Sequence, residues 1–194
     1  MVDREALNNK LYKLGYKSYE EIVEEFQHNV YSTVYTFIQN AQDTEDISQE
    51  VFLLIYQNLN SFKLDSKLST WIYRITVNRC LTYRRKEARR STIAKFVPIS
   101  NEMSESLKSN ISVDLDVIKL EDKDILYKAL NCINKKYVTV IVLRYMQDLS
   151  IKEIGQILNL PARTVETQLY RAKSKLKANL LMLGYGMEEK CYGL

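Results

Sequence analysis

Asp43, Asp46 and Glu50 stand at i, i+3 and i+7 of a helical stretch, so their carboxylates share one face. Such a face has two chemical uses. It can hold Mg²⁺ for nucleic-acid chemistry, or it can meet a basic partner surface. The first use lacks company: His28 is the single histidine, and no Gly-rich phosphate-cradling loop is present. Cys80, Cys132 and Cys191 form no CxxC or CxxH pair. No catalytic residue, cofactor or bound metal is therefore expected, and the thiols read as isolated and reduced. Helix capping accounts for part of Asp43.

Residues 59–86 read LNSFKLDSKLSTWIYRITVNRCLTYRRK. A loop with Phe62, Lys63 and Lys67 runs into a helix bearing Trp71, Tyr73, Arg74, Asn78, Arg79 and Tyr83. Aromatics interleaved with cations suit single-stranded nucleic acid. Rings stack on bases at roughly 1–3 kcal/mol each, and cations hold phosphates. The same residues have core readings: Trp71 is expected inside, while Phe62 and Tyr73 fit either role. Arg84-Arg85-Lys86 reads as a phosphate-facing tail or a solvated run.

A third constellation lies near the C-terminus. In SIKEIGQIL (150–158), Ile151, Ile154 and Leu158 share an apolar face, and Ser150 with Glu153 forms a capping box. Gly155 faces the same way, where a second helix is expected to pack closely. After Asn159-Leu160-Pro161, Val165, Leu169, Ala172 and Leu176 make a buried stripe. The opposite face carries Arg163, Glu166, Thr167, Gln168, Tyr170, Arg171 and Ser174, with Lys173, Lys175 and Lys177 further along. A helix-turn-helix needs this mixture of base-edge readers and phosphate contacts in the major groove. An amphipathic hairpin with a solvated outer face is the plainer alternative.

Helices must position all three. Ile22, Phe26, Val30, Val34, Phe37 and Ile38 form one stripe over residues 19–39. Asn40-Ala41-Gln42 breaks it, and Asp43 or Thr44 is expected to cap a second helix running to about Leu59. Residues 61–69 read as a loop, and a third helix covers about 70–90. Periodicity fades over the Ser/Asn/Glu-rich stretch from 91 to about 120. It returns in helices over about 124–133, 136–146, 150–158 and 161–182. Pro161 is expected in the first turn of the last helix and Gly184 at its exit.

Composition agrees. The chain has 194 residues, with 5 Gly and 2 Pro, too few for many tight turns, so helices are favoured over strands. No apolar run approaches a membrane span and the N-terminus lacks a signal-peptide core, so a cytoplasmic location without membrane insertion is expected. Charge is segregated. Net charge is −6 over residues 1–61, +8 over 62–95, −4 over 96–126 and +7 over 127–182. Two basic blocks separated by an acidic one point to two contacts with a polyanion.

Three segments, DTEDISQEVFLLIY (43–56), STWIYRITVN (69–78) and LRYMQDLSIKEIGQILNLPARTVETQLYRAKSKL (143–176), resemble regions two and four of the extracytoplasmic-function (ECF) sigma factors of bacterial RNA polymerase, in that family's order. The resemblance covers most of residues 20–182. It implies an all-α fold of two small helical domains joined by a flexible linker. These are a region-two bundle over 1–95, a linker over 96–122, a four-helix helix-turn-helix domain over 123–182 and a tail over 183–194. It further implies a protein that brings core polymerase to promoters and opens the DNA. Asp43, Asp46, Gln49 and Glu50 would dock on the beta-prime clamp helices, and residues around 136–147 on the beta flap. Phe62 and the loop through Lys63 and Lys67 would take a base flipped from the minus-ten element. Asn78 would read DNA beside it, while Arg74, Arg79, Arg84 and Arg85 hold backbone. Arg163, Glu166, Thr167, Gln168, Tyr170 and Arg171, flanked by Ser174 and Lys175, would read the minus-thirty-five element. An anti-sigma factor is the implied regulatory partner. Many relatives carry cations where this chain has Glu166 and Gln168, so a different minus-thirty-five sequence is expected.

A stand-alone helix-turn-helix regulator would explain residues 143–182 but leaves the acidic helix and the Trp-bearing basic helix without a role. A metal-dependent nuclease would use the carboxylates but lacks converging partners. A purely structural adaptor does not account for the charge blocks.

Overall fold

A computed structural model of the chain describes residues 4–94 and 120–185. Among these residues every regular element is helical. They fall into two compact units, one within residues 1–113 and the other within 114–194.

The first unit contains α1 (Arg4–Leu14), α2 (Tyr19–Ile38), α3 (Ala41–Asn58), a 3₁₀ turn (Leu59–Ser61) and α4 (Leu68–Ala94). Helices α2, α3 and α4 pack on one another. All six apolar residues of the α2 stripe are buried. They meet Ile47, Val51 and Ile55 of α3 and Ile72, Tyr73, Val77 and Cys80 of α4 in the core. Three of the buried threonines are satisfied locally. Thr36, Thr44 and Thr76 donate to the carbonyl four residues earlier, at 2.9, 2.6 and 3.0 Å.

The corner between α2 and α3 differs from expectation. The break falls at Gln39 and Asn40, and Asn40, not Asp43 or Thr44, is the cap. Its side-chain oxygen accepts the Asp43 N–H at 3.0 Å. Gln39 takes a left-handed conformation (φ 56°), which lets the chain reverse within two residues. Helix α1 is also new, since the sequence assigns no structure to residues 1–18. Its two buried anchors, Leu7 and Leu11, are too few to give a readable period.

The second unit contains α5 (Leu120–Asn131), α6 (Lys135–Ile141), a π-type turn (Val142–Met146), α7 (Ile151–Leu158) and α8 (Ala162–Met182). Residues 137–143 are buried without a break. Asn179 donates to the Ala129 carbonyl at 3.0 Å, tying α8 to α5. The expected linker over 96–122 lies outside the described residues except for its last three, as does the expected tail from residue 186 onward.

Candidate nucleic-acid interface

The start of α7 is fixed by its own sequence. Ser150 Oγ accepts the Glu153 N–H at 3.3 Å, and the Glu153 carboxylate accepts the Ser150 N–H at 2.9 Å. This reciprocal box satisfies two orphan donors at the helix start. At the far end Asn159 turns left-handed (φ 53°), and its N–H reaches the Gly155 carbonyl. The Leu160 N–H donates to the same carbonyl at 2.9 Å. Gly155 therefore serves the turn rather than a second helix: a Cβ there would lie 2.8 Å from the Leu160 carbonyl oxygen. Pro161 follows at the cap position of α8, one residue before the first turn.

Helix α8 is two-faced. Val165, Leu169 and Ala172 are buried, and Leu176 is half-buried. Arg163, Glu166, Thr167, Tyr170, Arg171, Ser174 and Lys175 are exposed, while Gln168 is half-buried. Tyr170 is 75% exposed, so its ring carries no packing duty. The Thr167 and Ser174 hydroxyls donate to Arg163 and Tyr170 carbonyls at 2.8 and 3.1 Å, which leaves them as acceptors toward a ligand. Lys173 lies over the Tyr145 ring, 5.4 Å from its centroid.

In the first unit, α3 and α4 share a polar seam. Asp46 and Gln49 are exposed on α3, with Glu50 beside them and Asp43 half-buried at the helix start. Glu50 pairs with the Arg79 guanidinium of α4. One turn along α4, Tyr83 donates to the Asp43 carboxylate, and burial, followed by that carboxylate, pushes the phenol up to about 12. The outer side of α4 leaves Asn78 and Arg85 exposed, with Arg74 and Arg84 half-buried. In the loop before α4, Lys63 and Lys67 are exposed, and Leu64 adopts φ 60°.

A family model described as Sigma-70 region 2 matches residues 22–90, and one described as Sigma-70, region 4 matches residues 123–176. The chain is 33% identical over 168 residues to the ECF RNA polymerase sigma factor SigW of Bacillus subtilis (strain 168), covering 84% of this chain and 89% of that protein. This chain belongs to the ECF sigma factors. It is 29% identical to the ECF RNA polymerase sigma-E factor of Escherichia coli (strain K12), over 89% of this chain and 91% of that one. Two solved structures share its fold. One is the sigma factor RpoE of Bartonella quintana in complex with the anti-sigma factor NepR (TM-score 0.63, 19% identity, 84% of this chain and 98% of that one). The other is CnrH in complex with the cytosolic domain of CnrY (TM-score 0.60, 22% identity, 84% and 88%). As a sigma factor the chain recognises promoters and directs RNA polymerase in transcription initiation.

In this sigma factor the rings of Phe62 and Trp71 pack on each other. The Phe62 ring is 2% exposed and packs on Trp71 with centroids 5.2 Å apart, so it is not an open stacking face. Trp71, expected in the core, is half-buried, with its ring against that of Phe62. Of the two packed rings, the loop residue is the more buried. Tyr73 is core: its hydroxyl accepts the Asn29 amide at 3.1 Å, and burial raises its pKa. Around 136–147, residues 137–143 are buried, which leaves Lys136 and Tyr145 as the exposed large side chains. Sequence reasoning missed Tyr83 as a partner of Asp43. It also missed Lys10, whose ammonium donates to the Phe62 carbonyl at 2.6 Å. No local signal announces either contact, because each joins segments far apart in the chain. No described helix is long and apolar enough to cross a membrane, and the described residues hold no cluster of potential metal ligands.

Proposed function

We propose that the two units divide promoter recognition between them. The first docks on the beta-prime clamp helices through Asp46, Gln49 and the Glu50 and Asp43 carboxylates. Its loop, with Lys63 and Lys67, takes the non-template strand of the minus-ten element. Trp71 forms an apolar wall beside that loop, backed by the buried Phe62 ring, while Asn78, Arg74, Arg79, Arg84 and Arg85 contact bases and backbone. The second unit lays α8 in the major groove of the minus-thirty-five element, with Arg163, Glu166, Gln168, Tyr170 and Arg171 toward base edges and Thr167, Ser174 and Lys175 toward backbone. Lys136 and Tyr145 meet the beta flap. The chain makes no bond itself. Unstacking a base costs a few kcal/mol, offset by pocket and phosphate contacts. It works in the cytoplasm, under an anti-sigma partner such as those seated on its structural relatives.

The observation that carries this reading is the outer face of α8, where cations and base-edge readers stand exposed opposite the buried Val165, Leu169 and Ala172. The test is transcription from a genomic fragment library by core RNA polymerase with and without the chain. New start sites are expected only when both are present. Absence of affinity for core polymerase overturns the reading, as does a palindromic footprint made by the chain alone.

A further inference from the structure

The loop from Phe62 to Lys67 is anchored at its first residue from three directions. The Phe62 N–H donates to Leu59 at 3.1 Å. Its ring is buried against Trp71. Its carbonyl receives the Lys10 ammonium at 2.6 Å, across 52 residues of sequence. Lys10 lies on the same side of α1 as Leu7 and Leu11, which are 5% and 2% exposed. The two leucines seat α1, which packs on the 3₁₀ turn, and the ammonium reaches past them to the start of the loop. An ammonium on a carbonyl is a charge-assisted bond, stronger and more directional than packing alone. Two residues further on, Leu64 is held at φ 60° while its side chain stays 46% exposed. A leucine keeps that conformation only where the flanking backbone imposes it.

We propose that Lys10 is a positioning residue for strand recognition. By gripping the Phe62 carbonyl, it fixes the conformation in which the loop presents Lys63, Leu64 and Lys67 to the displaced DNA strand. The N-terminal helix thus acts as a brace on the reading loop as well as a cover on the core. This rests on the reading that the loop meets the minus-ten strand.

The test uses holoenzyme assembled with the full chain as wild type, Lys10→Met and Lys10→Arg. Methionine keeps the apolar stem and removes the donor. The probe is fork-junction DNA, single-stranded at the minus-ten element, built on a promoter that the wild-type holoenzyme transcribes. Lys10→Met is expected to weaken fork binding about tenfold, the scale of one hydrogen bond to a charged group. Core affinity and binding to the minus-thirty-five duplex stay at the wild-type level, and Lys10→Arg recovers most of the loss. The proposal is overturned if Lys10→Met binds the fork like wild type, if it loses core affinity in parallel, or if arginine fails to rescue. If wild-type holoenzyme itself does not prefer the fork over fully duplex DNA, the strand-reading assignment of the loop fails instead.

Discussion

In Gly155→Ala the new Cβ would sit 2.8 Å from the Leu160 carbonyl oxygen, about 0.6 Å short of ordinary contact. The obstacle is backbone, and it cannot swing aside. The Asn159 and Leu160 N–H groups are both anchored on the Gly155 carbonyl, so the turn closes on the residue being replaced. Two effects then oppose each other. Inside a helix, alanine is better than glycine by about 0.8–1.0 kcal/mol. Forcing a well-packed site apart costs about 1–3 kcal/mol. The clash is larger, and we expect a net loss of about 1 kcal/mol in the second unit. Trp71, the single tryptophan, lies in the first unit, so its fluorescence cannot follow this change. Amide hydrogen exchange in α7 and α8 at increasing urea can. Protection there should fall about fivefold, while α2 and α3 stay unchanged. Because the turn sets the angle between α7 and α8, binding to minus-thirty-five duplex should weaken as well. An increase in α7 and α8 protection would mean that helix propensity dominates and that the turn yields easily, which refutes the reasoning.

Four further outcomes follow from the geometry. Side chains of Arg79 and Glu50 are 17% and 50% exposed, so a double-mutant cycle with Arg79→Gln and Glu50→Gln, read by Trp71 fluorescence in urea, should give a coupling of no more than about 1 kcal/mol. A coupling above about 2 kcal/mol would show a drier, stronger pair. Glu166→Arg should change the preferred bases in a minus-thirty-five substitution series, since Glu accepts from cytosine amines and Arg donates to guanine; an unchanged series removes Glu166 from the reading face. Cys80 is buried, with its thiol pushed up to about 12 mainly by that burial, whereas Cys132 is exposed. Iodoacetamide at mildly alkaline pH should therefore label Cys132 in the native protein and Cys80 only after unfolding; equal labelling in mass spectra contradicts the packing of α4. Burial, then the Glu25 carboxylate, pushes Tyr16 up to about 12, as burial and Asp43 do for Tyr83. Both folded values lie above the ordinary 10, so their contribution is fully present below pH 10 and is lost as pH rises through about 12. Urea midpoints should fall across that window, less so in Tyr83→Phe, and a flat profile would show that neither phenol is held.

Much of this protein was legible because its signals are local. The stripe of α2, the Ser150–Glu153 box and the alternation of buried and exposed residues along α8 each arise within one or two helical turns. The helix's own hydrogen bonds fix which residues share a face, so type and spacing determine these features before any partner arrives. The three segments that mark the family lie on such elements, and so the function was legible with them.

Tertiary structure decided which of several suitable residues does each job. Trp71 was the expected core ring and Phe62 fit either role, and the packing of loop against α4 made Phe62 the more buried of the two. Asn40 capped α3 because α2 ends at Ile38 and brings the chain round in two residues. Glu50 met Arg79, Asp43 met Tyr83 and Lys10 met the Phe62 carbonyl across 29, 40 and 52 residues. Contacts of that span have no periodicity to betray them. They exist only once hydrophobic burial has brought the helices together, and the sequence carries their ends without stating that they meet.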